Sequence, residues 1–204
     1  MRGMQLSRRP ARLLCAAVMA LACTCLTSCV TFALHSLYGD ADSVFEPGLL
    51  GTWNDPTDES NRIKLIFEKG QGSSYKATFI DPDSKPPDGL IFEVHLVKIN
   101  GQLFFDAVQT GVRAKGQEVD MGIVIPSHLI GRLSLTADTL RLDLLDDSWF
   151  KQSLKSGKSA IPFEIVDGDV VVTASTPELQ KFVAAHANDN AVFPTDSSVL
   201  RRAK

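Results

Sequence analysis

The sequence predicts a mostly β protein, an antiparallel up-and-down meander of about nine strands that closes into a barrel or half-barrel, with two short helices near the C-terminus. Three observations predict this fold. Apolar and polar residues alternate with a period of two through most of the chain after residue 50, and the connections between these segments are short. Only two segments have helical periodicity instead. Because each strand has one apolar face, the sheet must curl or close to bury it.

The alternation also predicts which side chains point into the barrel. Apolar residues recur at every second position in successive segments, beginning with Ile63, Leu65 and Phe67 and ending with Val170–Ala174. The large side chains that share one phase are expected to line the interior, either meeting across the barrel axis or surrounding a cavity; they are Leu65, Phe67, Phe79, Phe92, Val94, Phe105 and Leu142.

Turn residues separate the strands. Lys69–Gly72, Asn100-Gly101, Ala137-Asp138 and Asp167–Asp169 supply residues that tolerate positive φ, as tight hairpins require. Asp81–Gly89 has the Asp-x-Asp spacing of a calcium loop, but its prolines, its lysine and the missing terminal Glu favour a stiff hairpin loop.

Two segments are predicted to be helical. Asp147–Leu154 begins with residues that cap helices, and Asp147 is expected to be the cap. In Thr176–His186, Thr176 is expected to cap, Pro177 lies in the first turn, and Leu179, Phe182 and Val183 form one apolar stripe.

The N-terminal segment differs in character from the rest. Residues 1–12 are basic, and Leu13–Leu26 is apolar but, at about 14 residues, too short to span a bilayer as a helix. Leu26-Thr27-Ser28-Cys29 closes the segment and resembles the lipobox of bacterial lipoproteins. The resemblance implies cleavage before Cys29 and acylation of that cysteine with palmitate-type chains, with export and anchoring on the periplasmic face of the inner or outer membrane or on the cell surface.

This interpretation divides the chain into a signal peptide (1–28), a lipidated tether (29–46) and a single barrel-like domain with a C-terminal helix and a basic tail (47–204). The alternatives are an uncleaved anchor and an ordinary secretory signal. Cys23 and Cys25 compete for acylation, but the residues before them match the lipobox less well.

Charge and cysteine content exclude several functions. From Cys29 onward the chain has 17 Lys and Arg against 24 Asp and Glu, so its net charge is -7. An acidic body is unsuited to nucleic acid, which demands a basic surface. All 4 cysteines lie within residues 15–29, so the body has no disulfide, thiolate nucleophile or cysteine metal ligand.

Gly51-Thr52-Trp53 opens the first predicted barrel strand and resembles the Gly-x-Trp of the lipocalin and fatty-acid-binding-protein superfamily. That resemblance implies a lipocalin-like barrel whose tryptophan closes one end, often against a late basic residue. It covers three residues and the strand pattern, and the two helices near the C-terminus depart from a lipocalin, which has one helix after its barrel. The chain also resembles uncharacterised bacterial lipoproteins with the same Gly-x-Trp opening.

No constellation of catalytic residues is evident. His95 and His128 are in phase with polar strand neighbours and are expected to face outward, and Asp143 and Asp146 are expected on a solvated face. Gly-x-Ser-x-Gly is absent. We therefore expect no enzyme activity, no metal site and no cofactor.

Residues 110–126 do not follow the alternation. Thr110–Asp120 is polar and Met121–Pro126 is apolar, which predicts a long loop acting as a lid over the barrel or as a tip that touches a partner.

Two functions remain open at this point. The first is a membrane-anchored envelope lipoprotein that binds a small apolar ligand inside its barrel. The alternative is a structural or assembly accessory lipoprotein whose barrel is filled by side chains. A cavity inside the barrel would favour the first, whereas neither reading identifies a protein partner.

Overall fold

The structure is a computed structural model that describes residues 31–39, 41–57, 64–80, 88–120, 122, 126–156, 161–195 and 199–204. Within these ranges the strands are β1 (Phe32–Ala33), β2 (Ser43–Val44), β3 (Gly51–Asn54), β4 (Lys64–Lys69), β5 (Tyr75–Ile80), β6 (Gly89–Ile99), β7 (Gln102–Ala114), β8 (Gln117–Asp120), β9 (His128–Leu135), β10 (Thr139–Leu144), β11 (Phe163–Val166), β12 (Asp169–Val172) and β13 (Leu200–Arg202). The helices are a 3-10 turn at Pro47–Leu49, α1 (Asp147–Lys155) and α2 (Thr176–His186).

Eight of these strands form a closed antiparallel barrel, which confirms the predicted fold class. Strands β3 to β7 pair in chain order, β7 pairs with β9, and β9 pairs with β10. The ring is closed by β13, which pairs with β10 on one side and with β3 on the other. The segment predicted to be a basic tail is therefore a barrel strand, because the free edges of β3 and β10 would otherwise be left without backbone partners.

One end of the barrel interior is packed solid. The 3-10 turn places Leu49 under the barrel, and the indole nitrogen of Trp53 donates to the Leu49 carbonyl at 2.9 Å. The Arg202 guanidinium lies 4.2 Å from the Trp53 ring centroid and donates to the carbonyls of Gly48, Leu50 and Ala137. Trp53 is fully buried, as predicted. A cation over an indole whose own N–H is satisfied is a stable way to close a barrel end.

A second layer covers part of the outer surface of the barrel. β1 pairs with the first residues of β9 and, in parallel, with β12, which continues to β11. Together with α1 and α2 this arm encloses a second hydrophobic core, in which Phe104 and Ile130 from the barrel meet Phe150 and Phe182 from the helices. The barrel therefore has apolar side chains on both faces of β7 and β9.

The described part of the expected tether (31–39 and 41–46) is built into the folded domain, where Ala33 and Leu37 join the second layer and Val44 and Phe45 pack against the core of the barrel. Ala33 and Leu37 are buried, β2 pairs with β6, and the Leu37 amide donates to the Asp106 carboxylate at 2.6 Å. Burial of these apolar residues favours packing over a free tether. Residues 1–30, with Cys29, lie outside the described residues.

Both predicted helices are present, with different caps from those expected. Asp146, not Asp147, accepts the Trp149 amide and caps α1, while Asp147 is buried and paired with Lys151. Ser175, not Thr176, caps α2 in a capping box with Glu178. The hydrogen bonds from Ser175 hold the pKa of the Glu178 carboxyl below its usual value.

The predicted loop over residues 110–120 is wrong. β7 continues to Ala114, turns at Lys115-Gly116 with φ of 51° and 77°, and returns as β8. Positive φ at both central residues is the type I′ geometry that suits a tight hairpin. The strands are polar because this hairpin extends beyond the barrel, with all of β8 exposed. Residues 121 and 123–125, the apolar part of the expected lid, and residues 81–87 of the expected stiff loop lie outside the described residues.

Candidate functional site

The other end of the barrel interior holds a cavity. Its volume is about 230 Å³, and it lies between β4, β5, β6, β7, β9 and β10. Its lining consists wholly of aliphatic and phenyl side chains: Leu65, Phe67, Ala77, Phe79, Leu90, Phe92, Val94, Phe105, Ala107, Leu129, Leu133, Leu142 and Leu144.

All seven residues that the alternation predicts to face inward line this cavity. Six further residues that were not predicted also line it: Ala77, Leu90, Ala107, Leu129, Leu133 and Leu144. Their signal was nonetheless present, since Ala77, Ala107 and Leu144 have the same period-two phase as their predicted neighbours.

The cavity exists because small side chains stand opposite large ones. Ala77 pairs with Phe67 on one side and with Phe92 on the other, and Ala107 pairs with Val94 and Leu129. Two alanines at these positions leave space that larger residues would fill.

Gly131 enlarges the space further. It pairs with Phe105 across β7 and β9, and a Cβ atom at residue 131 would lie 2.5 Å from the Phe105 ring. Only glycine allows that ring to lie against the β9 backbone, away from the centre of the barrel.

The cavity opens at the end opposite the packed floor. Phe79, Leu90 and Leu144 line it and yet are 37%, 40% and 36% exposed, whereas the fully buried Leu49, Trp53 and Tyr75 lie in the floor outside the lining. Three apolar side chains therefore form an exposed rim around the opening. Burial raises the pKa of the Tyr75 phenol in the floor, which keeps that group neutral.

Asp106 and His128 are buried on the outer face of the barrel wall, away from the cavity. His128 Nδ1 lies 2.6 Å from an Asp106 carboxylate oxygen, and both side chains are buried under the second layer. His95 stacks on Tyr38 with ring centroids 3.9 Å apart. Both histidines thus point away from the barrel interior as predicted, but they are covered, because Tyr38 stacks on His95 and the Leu37 amide binds Asp106, the partner of His128.

The expected solvated face at Asp143 and Asp146 is wrong. Asp143 is fully buried and accepts a hydrogen bond from Arg132 at 3.1 Å. Arg132 also donates to the carbonyls of Ala187 and Phe193, which ties the end of α2 to the barrel. Polar residues at outward-facing strand positions are exposed to solvent only where nothing packs on that face of the strand. Here the second layer packs on it.

In the parts of the chain that the structure describes, no three His, Cys, Asp or Glu side chains are grouped so that they could hold a metal ion. Across the same described ranges, none of the helices combines the length and the apolar character needed to cross a membrane.

The fold and site together define a closed eight-stranded antiparallel barrel with an open, wholly apolar cavity and an outer face that is covered in part by a second layer. Comparison with known proteins adds no relative, since no family, no curated protein and no solved structure matches this chain.

Proposed function

We propose that this chain is a lipid-anchored protein of the cell envelope whose barrel binds a small apolar ligand, without an enzymatic step. The observation that carries the binding proposal is the cavity of about 230 Å³ lined by thirteen apolar residues. Ligand pockets are concave, mostly apolar and largely preformed, as this one is. The anchor rests on the sequence alone, through the Leu26–Cys29 lipobox after a basic and an apolar segment.

The interior of the barrel favours a ligand over a purely structural role. A fully packed barrel would maximise burial, whereas this one places Ala77 and Ala107 opposite large residues and keeps three apolar rim residues exposed. Empty apolar space costs stability and exposed apolar rims invite association, so both features are explained when an occupant covers them.

Binding is tested by titrating the full chain, held in an amphipathic polymer, with a fluorescent fatty acid or a similar apolar probe. We expect saturable binding to the natural chain. Phe92→Gln should weaken it about ten-fold or more, because a buried amide without a hydrogen-bond partner costs about 1–3 kcal/mol. Glu93→Gln is the matched control, since the next side chain on the same strand is exposed and points outward. No saturable binding across several apolar probes, with the fold intact by circular dichroism, would leave the structural role as the better account.

The proposed lipid anchor is tested separately, by replacing the cysteine of the lipobox. Cys29→Ala should abolish lipid attachment, so that the protein leaves the membrane fraction or accumulates unprocessed, because no other thiol occupies the lipobox position. Cys25→Ala, a neighbouring cysteine in the apolar segment, should change nothing. Intact-mass analysis of the membrane-extracted protein should find a diacylglyceryl or triacyl adduct on a chain that begins at Cys29. A mature chain without lipid, or one that begins elsewhere, contradicts the anchor.

A further inference from the structure

We propose that the occupant of the barrel is a single hydrocarbon chain that enters tail first and keeps any polar or charged head group outside. This inference rests on the proposed binding function and specifies its ligand. It follows from the chemistry of the cavity lining, from the hydrogen bonds that Arg202 already makes in the floor, and from the shape of the cavity.

The lining offers no partner to a polar group. All thirteen lining side chains are hydrocarbon, so a carboxylate, hydroxyl or amide brought among them would lose its hydrogen bonds to water and gain none from side chains. The next inward position of β7 beyond Ala107, towards the opening, is Gln109, which stands opposite Phe92. Polar side chains on the inner wall thus begin at the mouth, where a head group would remain hydrated.

The cation in the floor of the barrel, Arg202, already has hydrogen-bond and stacking partners within the protein. Arg202 donates to the carbonyls of Gly48 and Leu50 and stacks on Trp53, and it lies outside the cavity lining. A ligand carboxylate would have to pass the fully buried Trp53 and displace these carbonyls to reach it. The barrel therefore lacks an accessible receptor for a buried anionic head group within its described wall.

The shape of the cavity fits one chain. Along β6 the lining runs from Leu90 to Val94, and four strand steps of about 3.3 Å give a length of about 13 Å. A volume of about 230 Å³ over that length makes a narrow space, which suits one extended hydrocarbon chain rather than two side by side. Carbon–carbon bonds of about 1.5 Å advance ~1.3 Å each in an extended chain, so about ten carbons fill the space.

The exposed rim provides an apolar path for the part of the hydrocarbon chain that extends out of the barrel. Phe79, Leu90 and Leu144 continue the apolar wall to the surface and are the lining residues with the greatest exposure. A chain that crosses the rim covers these side chains and so removes apolar surface from water.

The test is a length series of n-alkyl alcohols and of the matching carboxylates, measured by displacement of the fluorescent probe from the full chain in amphipathic polymer. We expect affinity to rise about three- to four-fold for each added methylene, as burial of about 0.8 kcal/mol per methylene implies, and to level off near ten carbons. Alcohol and carboxylate of equal length should bind within about three-fold of each other, because neither head group enters the cavity. A two-chain phospholipid should bind no better than a single chain of the same length.

Ala107→Leu narrows the cavity and should lower the affinity for the ten-carbon alcohol about ten-fold or more, whereas Ser134→Leu adds the same side chain at an exposed outward position and should not. The Ser134→Leu control also corrects for alkyl ligand that partitions into the amphipathic polymer, since both variants are measured in the same polymer. If Ala107→Leu fails to fold, Ala77→Val supplies the narrower cavity. A carboxylate that binds at least ten-fold tighter than its alcohol, a flat length series, or preference for two chains would overturn this inference while leaving the binding function intact. Failure of every probe and every alkyl ligand to bind saturably would instead overturn the proposed function, and the inference with it.

Discussion

Trp53→Ala is expected to lower the free energy of unfolding by about 3–5 kcal/mol, the usual cost of removing a buried tryptophan. Trp53 is fully buried, and its indole nitrogen donates to the Leu49 carbonyl at 2.9 Å. The Arg202 guanidinium stacks on its ring in a cation–π contact. The substitution leaves a void in the barrel floor and removes the aromatic face that receives Arg202 in the closing strand β13. Urea denaturation followed by circular dichroism measures the effect.

Trp53→Phe serves as the control, because it keeps an aromatic face under Arg202 and loses the indole hydrogen bond and a smaller volume than Trp53→Ala. It should cost clearly less than Trp53→Ala. An unchanged denaturation midpoint in Trp53→Ala would mean that this side chain does not hold the floor of the barrel, and the resemblance to lipocalins would lose its one specific residue.

Asp143→Ala is expected to cost about 3–5 kcal/mol of folding free energy, because it leaves the Arg132 charge buried without its counter-ion. Both side chains lie under the second layer, with Arg132 7% and Asp143 0% exposed, and their closest atoms are 3.1 Å apart. Asp138→Ala removes a carboxylate from the exposed turn between β9 and β10 and should change stability little.

The double variant Arg132→Met with Asp143→Leu should recover part of that loss, since it removes both members of the buried pair, and Arg141, the other partner of Asp143, is 31% exposed. The recovery should be incomplete because the carbonyls of Ala187 and Phe193 lose their donor. An Asp143→Ala protein as stable as Asp138→Ala would contradict a buried, stabilising pair.

The barrel and the residues that line its cavity were predictable because one physical rule governs both. Strand side chains alternate between two faces, so Leu65 and Phe67 on β4 fix which side of that strand faces the interior, and the short turns carry the same phase into the neighbouring strands. The volume left inside was not predictable, since it depends on Ala77 and Gly131 standing beside particular neighbours across the sheet. That pairing is known only once the register is known.

The second layer was missed for a different reason. Alternation distinguishes two faces of a strand but does not say what covers the outer one. Phe104 and Ile130 are apolar at outward positions, which was a signal for a covered outer face, and the buried Arg132 and His128 beside them favoured the opposite interpretation. Burial of these polar residues depends on partners that are distant in the sequence, such as Asp106 for His128.

The closing strand was missed because β13 has only three residues, too few for a periodic pattern. Its position is set by pairing with β3 and β10 and by the bonds of Arg202 to backbone carbonyls, none of which a local pattern records.

Diffraction from crystals of the protein pressurised with xenon shows whether the barrel keeps an accessible apolar cavity. Apolar cavities of about 150 Å³ and above stay dry and accept xenon. We expect a xenon atom inside the barrel, in contact with Phe92, Phe105 and Leu142, with the lining side chains unmoved. Absence of xenon from the barrel, with the Phe92 and Phe105 rings turned into its centre, would contradict it.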